Sequence, residues 1–193
     1  HRVDRRQRQM CIRDRYVQGV STRKVARITE ELCGFGISSA EVSRASKNLD
    51  EHLQAWRQRP LGSFPYVYLD ARYEKVRHGG VVISSAVLLA IGVNSAGQRA
   101  VLGTSVALSE HEVHWRDFLG SLKDRGLYGV KLFVSDAHEG LKAARQTIFP
   151  TVPWQRCQFH LQQNAQHYVP RRALKREVAE RLRSVFTAPT EEE

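Results

Sequence analysis

Two aspartates stand in segments that otherwise read as apolar strand. Asp70 lies within "PYVYLDARYEKVR" (Pro65 to Arg77), and Asp136 closes "GVKLFVSD". Two hard oxygen ligands a few ångströms apart suit Mg²⁺ or Mn²⁺. Two such ions roughly 3.5–4 Å apart clamp the attacking and leaving oxygens of a phosphoryl transfer. That chemistry requires Asp70 and Asp136 to converge across 66 positions of sequence. Plainer roles compete with it. "DAHE" (Asp136 to Glu139) also has the pattern of a helix cap, and Asp70 could pair with Arg72 or Arg77 on a solvated face.

The elements that must position the two carboxylates follow from periodicity and turn chemistry. Residues 66–73 read as a strand with Tyr68, Asp70 and Arg72 on one face. Residues 81–93 and 99–107 read as two more strands, joined by a turn at Asn94-Ser95-Ala96-Gly97. A helix follows. Ser109 is its expected cap, with Glu112 at the capping-box position and Val113, Phe118, Leu119 and Leu122 facing inward. A fourth strand ends at Asp136, a helix closes at Pro150, "VPWQRC" gives a short fifth strand, and two helices complete the chain. The order β-β-β-α-β-α-β-α describes an α/β fold, a ribonuclease-H-like mixed sheet with flanking helices. In such a sheet the first strand is central and pairs with the fourth.

Upstream of this lies a helical region. Val25, Ile28 and Leu32 recur at helical spacing behind a Ser21 cap, and Gly34-Phe35-Gly36 ends the run. A second helix starts at Ser38, with Glu41 completing a capping box and Val42, Ala45, Leu49 and Leu53 on its apolar side. Helix, short glycine turn, helix is the helix-turn-helix pattern. Its second helix enters the major groove of DNA, here offering Ser39, Ser43, Arg44 and Lys47. An ordinary helical hairpin has the same pattern. "RQRPLGSFP" (Arg57 to Pro65) reads as a linker. The expected domains are therefore 1–60, a small all-α helix-turn-helix domain, and 61–193, a partial ribonuclease-H-like catalytic domain. Residues 1–15 read as a fragment edge or an assembly artefact.

Composition narrows the partners. The chain has 193 residues, a net charge of +10 and a pI of 9.9. Residues 1–60 carry 13 basic and 7 acidic side chains, so the excess is greatest there. A polyanion is the expected partner, nucleic acid ahead of membrane surface. No stretch approaches the ~18 apolar residues of a membrane span. Three cysteines without framework spacing point to a reducing, cytoplasmic setting. Cys157 and His160 form a C-x-x-H pair after the fifth strand. His138 and His167 have no recognised spacing with which to complete a zinc set, so a buried cysteine and a hydrogen-bonded histidine is the favoured role.

"YLDARYEKVR", "GVKLFVSDAHEGLKAA" and "WQRCQFHLQQNA", with "GVSTRKVARITEELCG" upstream, together resemble bacterial insertion-sequence transposases of the Mutator type. The resemblance spans about residues 16–190, with four segments in matching order. It implies a DDE transposase that uses divalent metal, two ions of Mg²⁺ or Mn²⁺, to hydrolyse double-stranded DNA at transposon ends and direct the freed 3′-hydroxyl at target DNA. It also implies a homo-oligomer on DNA, associated with the bacterial nucleoid. Asp70 would be the first acidic residue and Asp136 the second, each a catalytic metal ligand. Cys157 and His160 would shape the site near the second. The family's third acid is a Glu far downstream, beyond a helical insertion. Glu177, Glu180 and Glu191 to Glu193 lie too near Asp136 to match it. The expectation is thus an incomplete core, inactive by itself. Two alternatives stand beside it, a non-enzymatic helix-turn-helix DNA-binding protein and a ribonuclease-H-like nuclease.

Overall fold

The computed structural model describes residues 38–187, together with Lys24, Arg27, Ile28, Glu30, Glu31 and Gly36. The chain divides into two compact units, His1–Arg59 and Pro60–Glu193.

In the first unit, helix α1 (Ser39–Gln58) opens with the expected capping box. The Ser38 hydroxyl accepts from the Glu41 amide at 3.2 Å, and the Glu41 carboxylate accepts from the Ser38 amide at 2.9 Å. Two of the amides that a helix start leaves unpaired are thereby satisfied. Val42, Ser46 and Leu49 are its buried stripe. Leu53, expected on that stripe, is instead 41% exposed. Lys24, Arg27, Ile28, Glu30 and Glu31 are helical, as the upstream pattern requires. Ser21, Val25, Leu32, Gly34 and Phe35 lie outside the described residues.

The second unit begins with two short strands and a sheet. The short strands, β1 (Gly62–Ser63) and β5 (Leu127–Tyr128), pair in parallel as a separate ribbon. Part of the expected linker is therefore paired backbone. The sheet consists of β2 (Tyr66–His78), β3 (Val81–Val93), β4 (Arg99–Ala107), β6 (Leu132–Ser135) and β7 (Trp154–Arg156). Its spatial order is β4-β3-β2-β6-β7. Strands β2, β3 and β4 are antiparallel neighbours, while β6 and β7 continue parallel to β2. Helices α2 (Glu112–Asp124), α3 (Glu139–Ile148), α4 (Gln158–His167) and α5 (Lys175–Thr187) complete the unit, with a 3-10 turn at Arg172–Leu174. Counting only the five-strand sheet and its helices, this is the ribonuclease-H-like α/β order.

Strand β2 runs five residues further than its apolar pattern suggests. Gly79 and Gly80 both take positive φ, 58° and 84°, so a two-residue turn joins His78 directly to Val81. Positive φ at both turn positions matches the right-handed twist of the flanking strands. The ladder then forms on backbone hydrogen bonds although Arg72, Tyr73, Glu74 and Lys75 are exposed.

Strand alternation sends Val67, Leu69, Ala86, Leu88, Ala90, Leu102 and Phe133 into one core with α2 and α3. Helix α2 contributes Trp115, Phe118, Leu119 and Leu122, and α3 contributes Leu141 and Ala144. Here the expected start of α2 is corrected. Its N-cap is His111, with no side-chain cap bond, rather than Ser109. The buried stripe then runs from Trp115 at i, i+3, i+4 and i+7, and Val113 turns outward, 45% exposed.

Candidate active site

The parallel pairing of β2 with β6 sets the site. Its register runs Tyr66↔Leu132, Val67↔Phe133, Tyr68↔Val134, Leu69↔Ser135. Asp70 and Asp136 each follow the last of these pairs by one residue. Neighbouring strands stand about 4.8 Å apart, so Asp136, the first residue past β6, falls beside Asp70 within β2. Asp136 is not a helix cap. The N-cap of α3 is His138, and Asp136 Oδ1 instead accepts from the Ala137 amide at 2.7 Å. Nor is Asp70 paired along its own strand. Arg72 binds Glu74 at 2.6 Å, while Asp70 Oδ1 accepts from the Ala71 amide at 2.9 Å.

The stretch from Arg156 to His160 supplies a basic side chain to each carboxylate. Arg156, the last residue of β7, places Nε 3.8 Å from Asp136 Oδ1. His160, in the first turn of α4, places Nε2 4.0 Å from Asp70 Oδ1. Cys157 anchors this stretch, its amide donating to the Ser135 carbonyl at 2.6 Å. The stretch therefore reaches both acids, with Arg156 beside the second and His160 beside the first. Trp154 Nε1 donates to the Ser135 hydroxyl at 2.8 Å, and that hydroxyl donates to the Asp136 carbonyl at 2.8 Å. Both Trp115 and Trp154 are thus structural: Trp115 is fully buried in the core, and Trp154 is hydrogen-bonded beneath the site.

Asp70 opens onto a cleft of about 350 Å³ walled by Tyr68, Leu89, Ile91, Phe159 and His160. A smaller cavity, about 240 Å³, lies between the connector that precedes α2 and the start of α3, with Glu110, His111, His138 and Gly140 on its walls. Glu110, which the sequence pattern did not mark, lines this second cavity. Burial pushes its carboxyl above the usual range; His138 opposes this, and the charges of Asp70 and Asp136 push it further up. Nothing in its local sequence, "LSEHEV", marks it beyond being one of two glutamates near a helix start.

The donor types suit a hard divalent cation, since carboxylate oxygens come from β2 and from the residue just past its parallel neighbour β6. Among the described residues no group of three or more His, Cys, Asp or Glu side chains is arranged to hold a metal ion. A cation on Asp70 and Asp136 would complete its shell with water or substrate oxygens. The buried cysteine and hydrogen-bonded histidine expected of the C-x-x-H pair are corrected here: Cys157 is only half-buried, and His160 Nδ1 is buried without a hydrogen-bond partner among the described residues, because the ring faces Asp70 through Nε2. Glu177 and Glu180 are engaged along α5, with Arg181 at 2.8 Å and Arg176 at 3.0 Å. On α1, Ser39 is the first helical residue, and Ser43, Arg44 and Lys47 lie on the same helix, with Arg44 and Lys47 among its cations. No helix among the described residues is long and apolar enough to cross a membrane.

Fold and site together define an α/β unit whose central strand and its parallel neighbour lead into paired carboxylates. The sequence profile described as "Transposase, Mutator family" matches residues 1–193, and the chain belongs to that family. It is 54% identical over 182 residues to the transposase for insertion sequence element IS406 of Burkholderia multivorans, covering 93% of this chain and 47% of that protein. It is 41% identical over 159 residues to the transposase for insertion sequence element IS256 in transposon Tn4001 of Staphylococcus aureus, covering 81% and 41%. The chain spans about half the length of the curated relatives it matches. Among solved structures, the HTLV-2 integrase catalytic core domain in complex with magnesium superposes with a TM-score of 0.32 at 11% identity, covering 65% of this chain and 87% of that one.

Proposed function

We propose that this chain carries the DNA-recognition helix and the first two catalytic carboxylates of a metal-dependent DDE transposase. Such a protein hydrolyses DNA at transposon ends and joins the freed 3′-hydroxyl to target DNA. The observation that carries the proposal is the β2–β6 register, whose last pair is followed on each strand by an aspartate, Asp70 and Asp136. Family membership supplies the reaction class, and the paired carboxylates supply a place for it.

In this reading Asp70 and Asp136 hold Mg²⁺ or Mn²⁺ through carboxylate oxygens. When bound, the metal supplies Lewis-acid stabilisation of the attacking and leaving oxygens. Arg156 and His160 sit where they can meet the non-bridging oxygens of a bound phosphodiester. Ser135, held by Trp154 and Cys157, keeps the Asp136 backbone fixed and so limits reorganisation on binding. In α1, Ser39, Ser43, Arg44 and Lys47 contact DNA, Arg44 and Lys47 adding charge. The basic balance of residues 1–60 supports the same partner. A third acid, in the part of the relatives that this chain does not span, would complete the triad. The domains 1–60 and 61–193 then divide recognition from catalysis, with the working protein a homo-oligomer on DNA.

The test is Mn²⁺ titration of the wild-type chain and of Asp70→Asn and Asp136→Asn. Loss of binding in both variants is the expected result. Binding that survives in either one would show that the two carboxylates do not share a cation, and the proposal would fail.

A further inference from the structure

The cleft beside Asp70 is floored by one face of the sheet and walled by helix α4. Register pairs Asp70 with Leu89, and Tyr68 with both Ile91 and Val134, so these side chains share that face. Phe159 and His160, in the first turn of α4, form the wall. Two aromatic side chains stand open to solvent here: Phe159 is 67% exposed and Tyr68 45%. The Phe159 and His160 rings meet edge to face, with centroids 5.4 Å apart. Exposed apolar residues scattered singly are ordinary, whereas exposed rings grouped in a cleft mark a binding surface.

The cleft has charged groups at both ends. Asp70 and His160 stand at one. At the other is Arg99, which pairs with Val93 on β3. Val93 is four residues from Leu89, or about 13 Å along the strand. Arg99 is exposed and makes no ion pair with a described carboxylate. A polypeptide packed over this cleft would bury Asp70 and Arg99 too far apart to neutralise one another. A DNA strand instead brings a phosphate to Arg99 and a planar ring to the aromatic middle. Bases inside a duplex turn only their edges to the grooves. The Phe159 ring can therefore stack only on a base that has left the duplex stack.

We propose that this cleft is a base pocket, taking an unpaired base of the DNA strand whose phosphodiester reaches Asp70, with Phe159 stacking on the base, Tyr68 a second aromatic contact and Arg99 meeting a phosphate further along the strand. The proposal rests on the transposase reading of the two aspartates. Phe159 then helps choose which phosphodiester is presented, because the strand is held by a base as well as by its charges. Stacking of this kind tolerates any base, so the pocket reads that a base is unpaired and not which base it is.

The test is fluorescence anisotropy of the full chain with Mn²⁺ present, comparing a blunt duplex with the same duplex carrying a short unpaired 3′ tail of thymidines. Thermal melts establish folding. Wild type should bind the tailed duplex about tenfold more tightly than the blunt one. Phe159→Ala should erase that preference, and Phe159→Trp should keep it, a rescue that a merely structural role would not give. Arg99→Gln should lower the salt slope for the tailed duplex by about one unit. A preference that survives in folded Phe159→Ala would overturn the pocket. So would a Phe159→Ala that changes only self-association, which would assign the cleft to protein. Equal affinity of wild type for both duplexes, with Mn²⁺ still lost in Asp70→Asn and Asp136→Asn, would overturn the pocket and leave the metal reading standing. Mn²⁺ binding that survives in either aspartate variant would instead fell the reading on which the pocket depends.

Discussion

Trp154 on β7 donates its indole N–H to the hydroxyl of Ser135 on β6, 2.8 Å away, and Ser135 is the residue that pairs with Leu69 just before the two aspartates. The site is thus pinned through its own backbone. Trp154→Phe keeps an aromatic ring and removes the bond. It should lower stability by about 1 kcal/mol in urea unfolding, with the denaturant slope unchanged. It should also weaken Mn²⁺ binding a few-fold, because Asp136 is no longer anchored. Reduced stability with unaltered Mn²⁺ affinity would mean that the anchor serves the fold only.

Arg156 would compete with a cation proposed at Asp136 for the same carboxylate. Its Nε is buried without a hydrogen bond and stands 3.8 Å from Asp136 Oδ1. Arg156→Gln should therefore tighten Mn²⁺ binding by about threefold at low salt, with the gain shrinking as salt is added. Looser binding in a folded variant would show that Arg156 instead orders Asp136 for the cation.

The cations of α1 should report on DNA through salt. Each phosphate that a side chain neutralises adds about one unit to the slope of log affinity against log salt. Arg44→Ala and Lys47→Ala should each flatten that slope in a gel-shift or anisotropy titration of duplex DNA. Asp70→Asn should leave it unchanged. A slope that neither α1 substitution moves would place the DNA-binding surface elsewhere.

Glu110 sets a pH dependence whose sign is fixed. Its native carboxyl binds a proton more tightly than in the unfolded chain, chiefly through burial. The native state therefore holds more protons, and stability falls as pH rises from the free-carboxyl range through the raised native value. Below that window the destabilisation is absent, and above it the destabilisation is complete. Glu110→Gln should flatten this part of the curve in urea unfolding at a series of pH values. An unchanged profile would remove Glu110 from the charge cluster.

Much of the scaffold is legible in the residues alone, because short-range physics sets it. The Ser38–Glu41 capping box, the Asn94–Gly97 turn and the inward Phe118, Leu119 and Leu122 all follow from local periodicity and hydrogen-bonding chemistry. The length of β2 does not, since its outer half is held by pairing across Gly79-Gly80 and not by apolar side chains. The start of α2 is equally illegible. Ser109 and Glu112 match a capping box as well as Ser38 and Glu41 do, yet the burial of Trp115 sets where the helix turns.

At the site, the sequence by itself determined which residue types were available: two aspartates at strand positions and a C-x-x-H pair after them. Their arrangement came only from tertiary structure. Parallel pairing of β2 with β6 joins positions 66 residues apart, and no local pattern encodes such a register. The same packing turns His160 toward Asp70, sets Arg156 beside Asp136, and brings the Glu110 connector against Gly140. Those neighbours depend on through-space distances between separate elements, which a chain acquires only when its core closes.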